Sequence, residues 1–337
     1  MIAEQFVLAR RPVSLPRSDD FARNVAPLPP LREGEVSVRN TAMQLTAVMV
    51  ELMRGADLPM PPYPLAEPLW GPAVGVVLES RSAEFAAGDP VQSMRGWRSA
   101  FVAPAEELTP VPSELRGRPE VLLCQGPTAY HGIADIAQVH AGDTVFVSGA
   151  AGGVGSLAGQ IARRLGAARV VGSAGTDDKC RWLVEELGFD TACNYRDPDF
   201  IDRLRDAAPT GYSVCFDTVG GRQFEHAIEA AGPGARIALC GTLAQQFAGP
   251  GIPAGPRLDL ATAIRKQLRI LPFSTFHTPE QIAQWLKHYT DGLATGEIVF
   301  PHSLVPGGLK AAPAALAQLG AGGFRGNVVV RLNHDAA

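Results

Sequence analysis

Between residues 143 and 289 the chain alternates strand-length apolar runs with amphipathic helical runs. No other feature limits the fold as much. Residues 144–148 form a β-branched and aromatic run of the kind that is buried on both faces of a parallel sheet. A glycine-rich turn follows. Val154, Leu157, Ala158, Ile161, Ala162 and Leu165 then recur at helical spacing, with Gln160, Arg163 and Arg164 opposite them and Gly166 as a stop. The pattern repeats. Residues 169–173 read as a strand, and 177–187 as a helix ended by Gly188. Residues 191–194 read as a strand before a helix opened by Pro198. Residues 213–216 and 237–240 read as strands around a helix at 222–231. After a Pro/Gly-rich loop at 249–256 come a helix at 259–267, a strand at 268–273 and a helix capped by Thr278-Pro279 that carries Ile282, Trp285, Leu286 and Tyr289. Strands separated by helices predict an α/β fold with a doubly wound parallel sheet.

The flanks differ. Residues 1–120 are rich in Pro and Gly and hold short strand-like runs at 36–39, 74–78 and 100–102, which predicts a mainly β domain. The tail ends in another strand at 328–332, after an Ala-rich helix near 309–319, and is expected to return to that first domain. With 337 residues, two domains are the prior. We expect a mainly β domain of 1–123 with 300–337 and an α/β domain of 124–299.

Composition excludes several classes. A net charge of −4 gives a nucleic acid no general electrostatic footprint. No apolar run is long enough to span a membrane, and the N-terminus lacks the apolar core of a signal peptide. The five cysteines, at 124, 180, 193, 215 and 240, form no C-x-x-C pair, which suits buried thiols in the cytoplasm. All seven histidines lie at 131 or later. The first 123 residues could offer a metal only carboxylates, so no metal is expected.

The segment Ser148-Gly149-Ala150-Ala151-Gly152-Gly153-Val154-Gly155 joins a strand to a helix. Gly152 and Gly155 keep the last two positions of the G-x-G-x-x-G fingerprint, and Ala150 replaces the first. The middle glycine lets backbone approach a pyrophosphate; the last lets helix and strand pack closely. The helix start adds free N–H donors and positive potential. An NAD site would carry an acid at the end of the second strand. Here stand Gly172, Ser173, Ala174, Gly175 and Thr176, with Lys179 one helical turn on. That pattern suits the 2′-phosphate of NADP(H); a solvated surface lysine is the alternative. Asp177 and Asp178 argue the other way, although acids are ordinary at a helix start.

This stretch, with FDTVGG, ALCG, GPTAYHGI and VAPLPPLREGEVSVRN, resembles the zinc-free medium-chain reductases, and most closely the prostaglandin reductase and alkenal double-bond reductase branch. The resemblance covers nearly the whole chain. It implies a GroES-like β domain, a Rossmann domain, a homodimer, and NADPH-dependent reduction of a carbon–carbon double bond conjugated to a carbonyl. Residue by residue, it assigns Lys179 and Tyr195 to the adenosine phosphate, with Ser173 and Gly175 beside them. It assigns Ala151, Gly152, Gly153 and Val154 to the pyrophosphate, with Gly155 as a further cofactor-binding position. Cys240, Gly241 and Thr242 fall at the nicotinamide-side strand ends, with Thr218, Phe273 and Phe324 as further cofactor-side positions. The departures lie on the substrate side. The branch's Asp-Pro-Tyr-Met-Arg motif is Thr46-Ala47-Val48-Met49-Val50 here. The Asn of FDNVGG is Thr218, its nicotinamide-pocket Tyr is Phe276 followed by His277, and an Asn near the C-terminus is Phe324.

Hydride addition to an enone builds charge on the carbonyl oxygen, so a donor aimed there would lower the barrier, and a proton must reach the α-carbon. Tyr130 is the first candidate donor, against a packing tyrosine. His277 is the second, against an exposed histidine at a helix entry. Tyr63, with Trp70 in the Pro-rich loop 59–72, could wall a pocket or pack the core. The substrate is expected to be a small-molecule enone or enal. The alternatives are a quinone oxidoreductase and an NADP-binding protein with a non-reductive role.

Overall fold

A computed structural model describes residues 1–56, 58–246 and 255–332. They fall into two units, one of Met1–Leu123 with the segment from His302 onward, the other of Cys124–Pro301. In the first unit β1 (Ile2–Leu8) and β2 (Phe21–Pro27) form an antiparallel ribbon. The long β3 (Glu35–Leu45) leads into α1 (Val48–Arg54), and β4 (Ala73–Ser80), β5 (Pro90–Ser93), β6 (Ala100–Pro104) and β7 (Thr109–Pro110) follow. β3 pairs antiparallel with both β4 and β6. Val36, Val38, Val77, Val91 and Phe101 point inward together, so alternate residues of these strands make the core.

The second unit opens with α2 (Gly126–Tyr130), which continues into a π-helical stretch, His131–Ile136. The sequence reading assigned no helix here. Glycines explain it: a Cβ at Gly126 would lie 1.9 Å from the Trp285 ring, and one at Gly132 2.3 Å from Phe216. The two glycines let the helix lie against those rings.

Strand and helix then alternate: β8 (Thr144–Val147), α3 (Gly153–Arg164), β9 (Arg169–Ala174), α4 (Asp177–Leu187), β10 (Thr191–Asn194), α5 (Phe200–Asp206), β11 (Tyr212–Asp217), α6 (Gly221–Ala230), β12 (Ala231–Leu239), α7 (Leu243–Gln246), α8 (Leu260–Lys266), β13 (Arg269–Pro272) and α9 (Pro279–Thr295). The helix expected from Pro198 begins at Phe200, and most of the expected loop at 249–256 lies outside the described residues. The six strands pair in parallel in the order β10-β9-β8-β11-β12-β13. Numbered along the chain this is 3-2-1-4-5-6, the doubly wound dinucleotide-binding order, whose direction reverses between β8 and β11.

The tail adds β14 (His302–Val305), α10 (Ala312–Gly320) and β15 (Asn327–Arg331). β15 pairs antiparallel with β3, so the C-terminal strand belongs to the first unit's sheet. Gln44 donates to Asn327 across this pair at 3.1 Å.

Gly159, inside α3, sets two effects against each other. Alanine is the better helix former by about 1 kcal/mol. A Cβ at Gly159 would however lie 2.0 Å from the Phe189 ring. Overpacking of this kind costs about 1–3 kcal/mol, and Phe189 is buried. We expect Gly159→Ala to lower the thermal midpoint and Gly159→Ala/Phe189→Leu to restore part of it. A single variant more stable than the parent would show that propensity wins.

Candidate functional site

The reversal point is tied shut by a buried polar cluster. Ser148 follows β8, and its hydroxyl donates to Asp217 at the end of β11. The Thr218 amide donates back to the Ser148 hydroxyl at 2.9 Å, and the Thr218 hydroxyl donates to the Ser148 carbonyl at 2.9 Å. Asp217 also accepts the amides of Val219 (3.1 Å) and Gly220 (3.0 Å). Burial pushes the Asp217 carboxyl above the ordinary carboxylate range, while those donors pull the other way. The cluster holds the turns after β8 and β11 in register.

On that base sits the glycine loop. Gly149 adopts φ +57°, and a Cβ there would meet the Thr218 hydroxyl at 2.7 Å, so only glycine fits. Its amide donates to the Ser173 hydroxyl at 3.2 Å, and the next amide, of Ala150, donates to the Ser173 carbonyl at 2.8 Å. A Cβ at Gly155 would lie 2.6 Å from the Gly149 carbonyl, so glycine there lets α3 press onto the loop. Ala151 is buried. Gly152 is exposed, and a Cβ on it would meet nothing but the Gly149 carbonyl at 3.3 Å. The first-turn amides of α3, including those of Gly153, Val154 and Gly155, lack intrahelical acceptors and provide an anion site beside that open space.

At the end of β9, Thr176 caps α4 by accepting the Lys179 amide at 3.3 Å. The Tyr195 amide donates to the Ala174 carbonyl at 3.0 Å, and a Cβ at Gly175 would stand 3.0 Å from the Tyr195 hydroxyl. Gly175, Lys179 and Tyr195 thus share one end of the crevice. Arg196 joins them, its guanidinium 5.7 Å from the Tyr195 ring centroid. The two acids that argued against a phosphate are engaged elsewhere: Asp177 accepts from Asn194 at 3.0 Å, and Asp178 pairs with Arg181.

At the other end the amides of Cys240 (2.8 Å) and Gly241 (3.3 Å) donate to the Asp217 carbonyl, which sets residues 240–242 beside Thr218. Burial pushes the Cys240 thiol up to about 12. Phe273, directly after β13, lies 6.3 Å from the Phe216 ring and 5.6 Å from the His131 ring. His277 stands at the entry to α9. Its Nε2 is 3.0 Å from the Thr128 hydroxyl, and its Nδ1 is buried without a partner. Burial, then the neighbouring His131, holds its pKa below the usual 6.5. His131 in turn is 2.7 Å from Asp135.

Of the remaining expected residues, Tyr130 belongs to this unit and Tyr63 and Phe324 to the first. Tyr130 packs against Trp285 (6.1 Å) and His288 (4.8 Å), and the His288 carbonyl accepts from Arg164. Both α3 and α9 start at strand carboxyl ends. At 1.5 Å per residue, His288 and Arg164 sit roughly 13 and 16 Å along them, away from the crevice. Tyr130 is therefore a packing residue between helices. Tyr63 is also structural: it is 1% exposed, its hydroxyl donates to the Trp70 carbonyl at 2.6 Å, and its ring lies edge-on to Trp70. Phe324 belongs to the first unit, half-buried just before β15. The sequence reading missed Ser148, Asp217 and Arg196. Ser148 and Asp217 stood inside quoted motifs, but nothing in a pattern distinguishes a buried anchor from a ligand contact.

Comparison with known proteins agrees with this geometry. The zinc-binding dehydrogenase family model matches residues 153–291, and a model of the N-terminal domain of oxidoreductases matches residues 4–111. The chain is similar to prostaglandin reductase 1 of Bos taurus, at 32% identity over 98% of this chain and 99% of that protein. It is also similar to the NADPH-dependent curcumin reductase of Escherichia coli K12, at 30% identity over 98% and 97%. A crystal structure of CurA from Vibrio vulnificus in complex with NADPH superposes with a TM-score of 0.90, at 32% identity over 98% and 99%. Among the described residues no three His, Cys, Asp or Glu side chains gather as metal ligands. The chain belongs to the medium-chain dehydrogenase/reductase superfamily, in the zinc-independent branch with prostaglandin reductase 1 and curcumin reductase.

Proposed function

We propose that this protein reduces the carbon–carbon double bond of α,β-unsaturated carbonyl compounds. It is an oxidoreductase with NADP(H) as cofactor. The observation that carries the substrate class is full-length likeness to two reductases of this branch. When bound, the cofactor supplies hydride to the β-carbon. In our reading the α3 amides hold the pyrophosphate, and Lys179, Tyr195 and Arg196 hold the 2′-phosphate. Cys240, Gly241, Thr242, Thr218 and Phe273 flank the nicotinamide.

Phe276 has no hydroxyl, and Tyr130 faces away from the crevice, so we assign the enolate donor to His277. With its pKa held low it is a neutral imidazole near pH 7. A neutral imidazole can polarise a carbonyl as a hydrogen-bond donor without giving up its proton. The proton for the α-carbon then comes from solvent.

We also infer a homodimer through the free edge of β13. Ile270 and Leu271 are half-buried on that edge strand, and Leu260 and Ile264 on α8 are 64% and 75% exposed. No helix among the described residues is long and apolar enough to cross a membrane. All five cysteines are unpaired, and we assign the protein to the cytoplasm.

NADPH oxidation should be followed with panels of enals, enones and quinones. Enals and enones should turn over; turnover with quinones alone would make it a quinone reductase, and no turnover would favour a non-redox role. His277→Ala should cost about 100- to 1,000-fold in kcat, the loss of one oxyanion donor, and Tyr130→Phe should leave kcat unchanged. Because His277 titrates below 6.5, kcat should be flat above neutrality. A loss in Tyr130→Phe matching that in His277→Ala, or an inflection on the alkaline side, would return the role to another group.

Lys179→Ala tests the phosphate contact. A charge-assisted hydrogen bond is worth about 1.5–3 kcal/mol, or roughly 10- to 100-fold in affinity. NADPH affinity should fall by that factor and NADH affinity should not change. Equal losses would show that Lys179 does not read the phosphate.

Light scattering should return the mass of two chains, against 35.6 kDa for one. Leu260→Glu/Ile264→Glu should shift it toward one chain. A monomer in the parent protein would contradict the edge-strand assignment.

A further inference from the structure

We infer that Gln223 is a positioning residue for the cofactor: it orients the Ser173 hydroxyl so that this hydroxyl can hold the glycine loop. The inference rests on NADP(H) binding at that loop. Gln223 stands in the first turn of α6, after β11, while Ser173 lies near the end of β9, on the far side of β8. The side chain therefore reaches across the reversal point from one half of the sheet to the other. Gln223 is 6% exposed and Ser173 fully buried. The Ser173 hydroxyl donates to Gln223 Oε1 at 2.6 Å and accepts the Gly149 amide at 3.2 Å.

Direction is what matters in this chain of bonds. A serine hydroxyl has one hydrogen and two lone pairs. Committing the hydrogen to Gln223 turns a lone pair toward the Gly149 amide. Consecutive bonds of this kind also polarise one another. Gly149 occupies a left-handed conformation with no room for a Cβ, so its amide direction is set by this partner and by the Thr218 wall. Without Gln223 the buried hydroxyl loses its acceptor and can rotate, and the loop amides lose one of their two holds on Ser173. The other hold, from Ala150 to the Ser173 carbonyl, is main-chain and survives. The fold then stands while the pyrophosphate cradle loosens. The ties across the reversal point include Ser148 to Asp217 and Ser173 to Gln223. The first is packed into the turns themselves, and the second acts on the loop alone.

The test is direct NADPH binding, followed by cofactor fluorescence without any substrate, together with steady-state kinetics and thermal melts. The binding arm is independent of which double bond is reduced. If the parent binds NADPH but reduces no enone, the substrate reading fails and Gln223 is still tested. Gln223→Met keeps volume and removes the acceptor. It should weaken NADPH binding and raise the NADPH KM by roughly tenfold, the worth of one such bond, with kcat kept. Gln223→Glu keeps an acceptor and should bind NADPH like the parent near about pH 6, where a buried carboxyl stays protonated. Its affinity should then fall as pH rises, because the ionised form opposes the cofactor phosphates; the parent should show no such trend. If Gln223→Met does not fold, Ser173→Ala removes the same link from the other side and carries the same expectation. Unchanged NADPH affinity in a folded Gln223→Met, a fall in kcat as large as the rise in KM, or a Gln223→Glu as weak as Gln223→Met in acid would each overturn the inference. A lowered melting point with intact affinity would mean that Gln223 only packs the core.

Discussion

The bond between Ser148 and Asp217 is the constraint on which the candidate site depends. It spans β8 and β11 where the strand order reverses. A buried carboxylate is costly unless donors surround it. Here a hydroxyl and two amides do so, and each of those donors belongs to a turn that shapes the crevice. The cost of burying Asp217 is thus converted into geometry. Thr218 closes onto Ser148, Gly149 is pressed against Thr218, and Cys240 and Gly241 hang from the Asp217 carbonyl. Removing the acid would free the Ser148 hydroxyl and the Val219 and Gly220 amides together, while the bonds of Cys240 and Gly241 to the main-chain carbonyl would remain.

Much of this was legible in the sequence, for a physical reason. Strands buried on both faces are uniformly apolar, helices that cover them are amphipathic, and the two periods differ, so residues 144–273 declare a parallel sheet. The helix Asp177–Leu187 and its Gly188 stop follow from local chemistry alone. The Thr278 capping box does so too. The segment 124–136 was not legible. Its Gly126-Pro127 start reads as a turn, and the rings of Trp285 and Phe216 fill the space that a side chain at Gly126 or Gly132 would need.

Side-chain roles were read less well than elements. Tyr130 sits beside Thr128 in the chain, yet the two diverge: Thr128 meets His277 at the strand ends, and Tyr130 turns toward His288. Helical phase against two neighbouring helices decides this, and a motif does not encode it. Tyr63 has the composition of a pocket wall, but a backbone carbonyl satisfies its hydroxyl. Ser148, Gln223 and Asp217 look like unremarkable polar residues until the sheet order brings them together. Substitution on the substrate side is coherent with this picture. Phe276 removes a hydroxyl, and the next residue, His277, offers a buried nitrogen without a protein partner.

The central claim is that the β8/β11 crevice is an NADP(H) site read at its adenosine end by Lys179 and Tyr195. A crystal structure of the protein with NADP+ tests it most directly. The pyrophosphate should lie on the amides of residues 151–154, the 2′-phosphate within hydrogen-bond reach of Lys179 and Tyr195, and the nicotinamide beside residues 240–242. A dinucleotide with its 2′-phosphate turned to solvent away from Lys179, or bound outside the crevice, would contradict it.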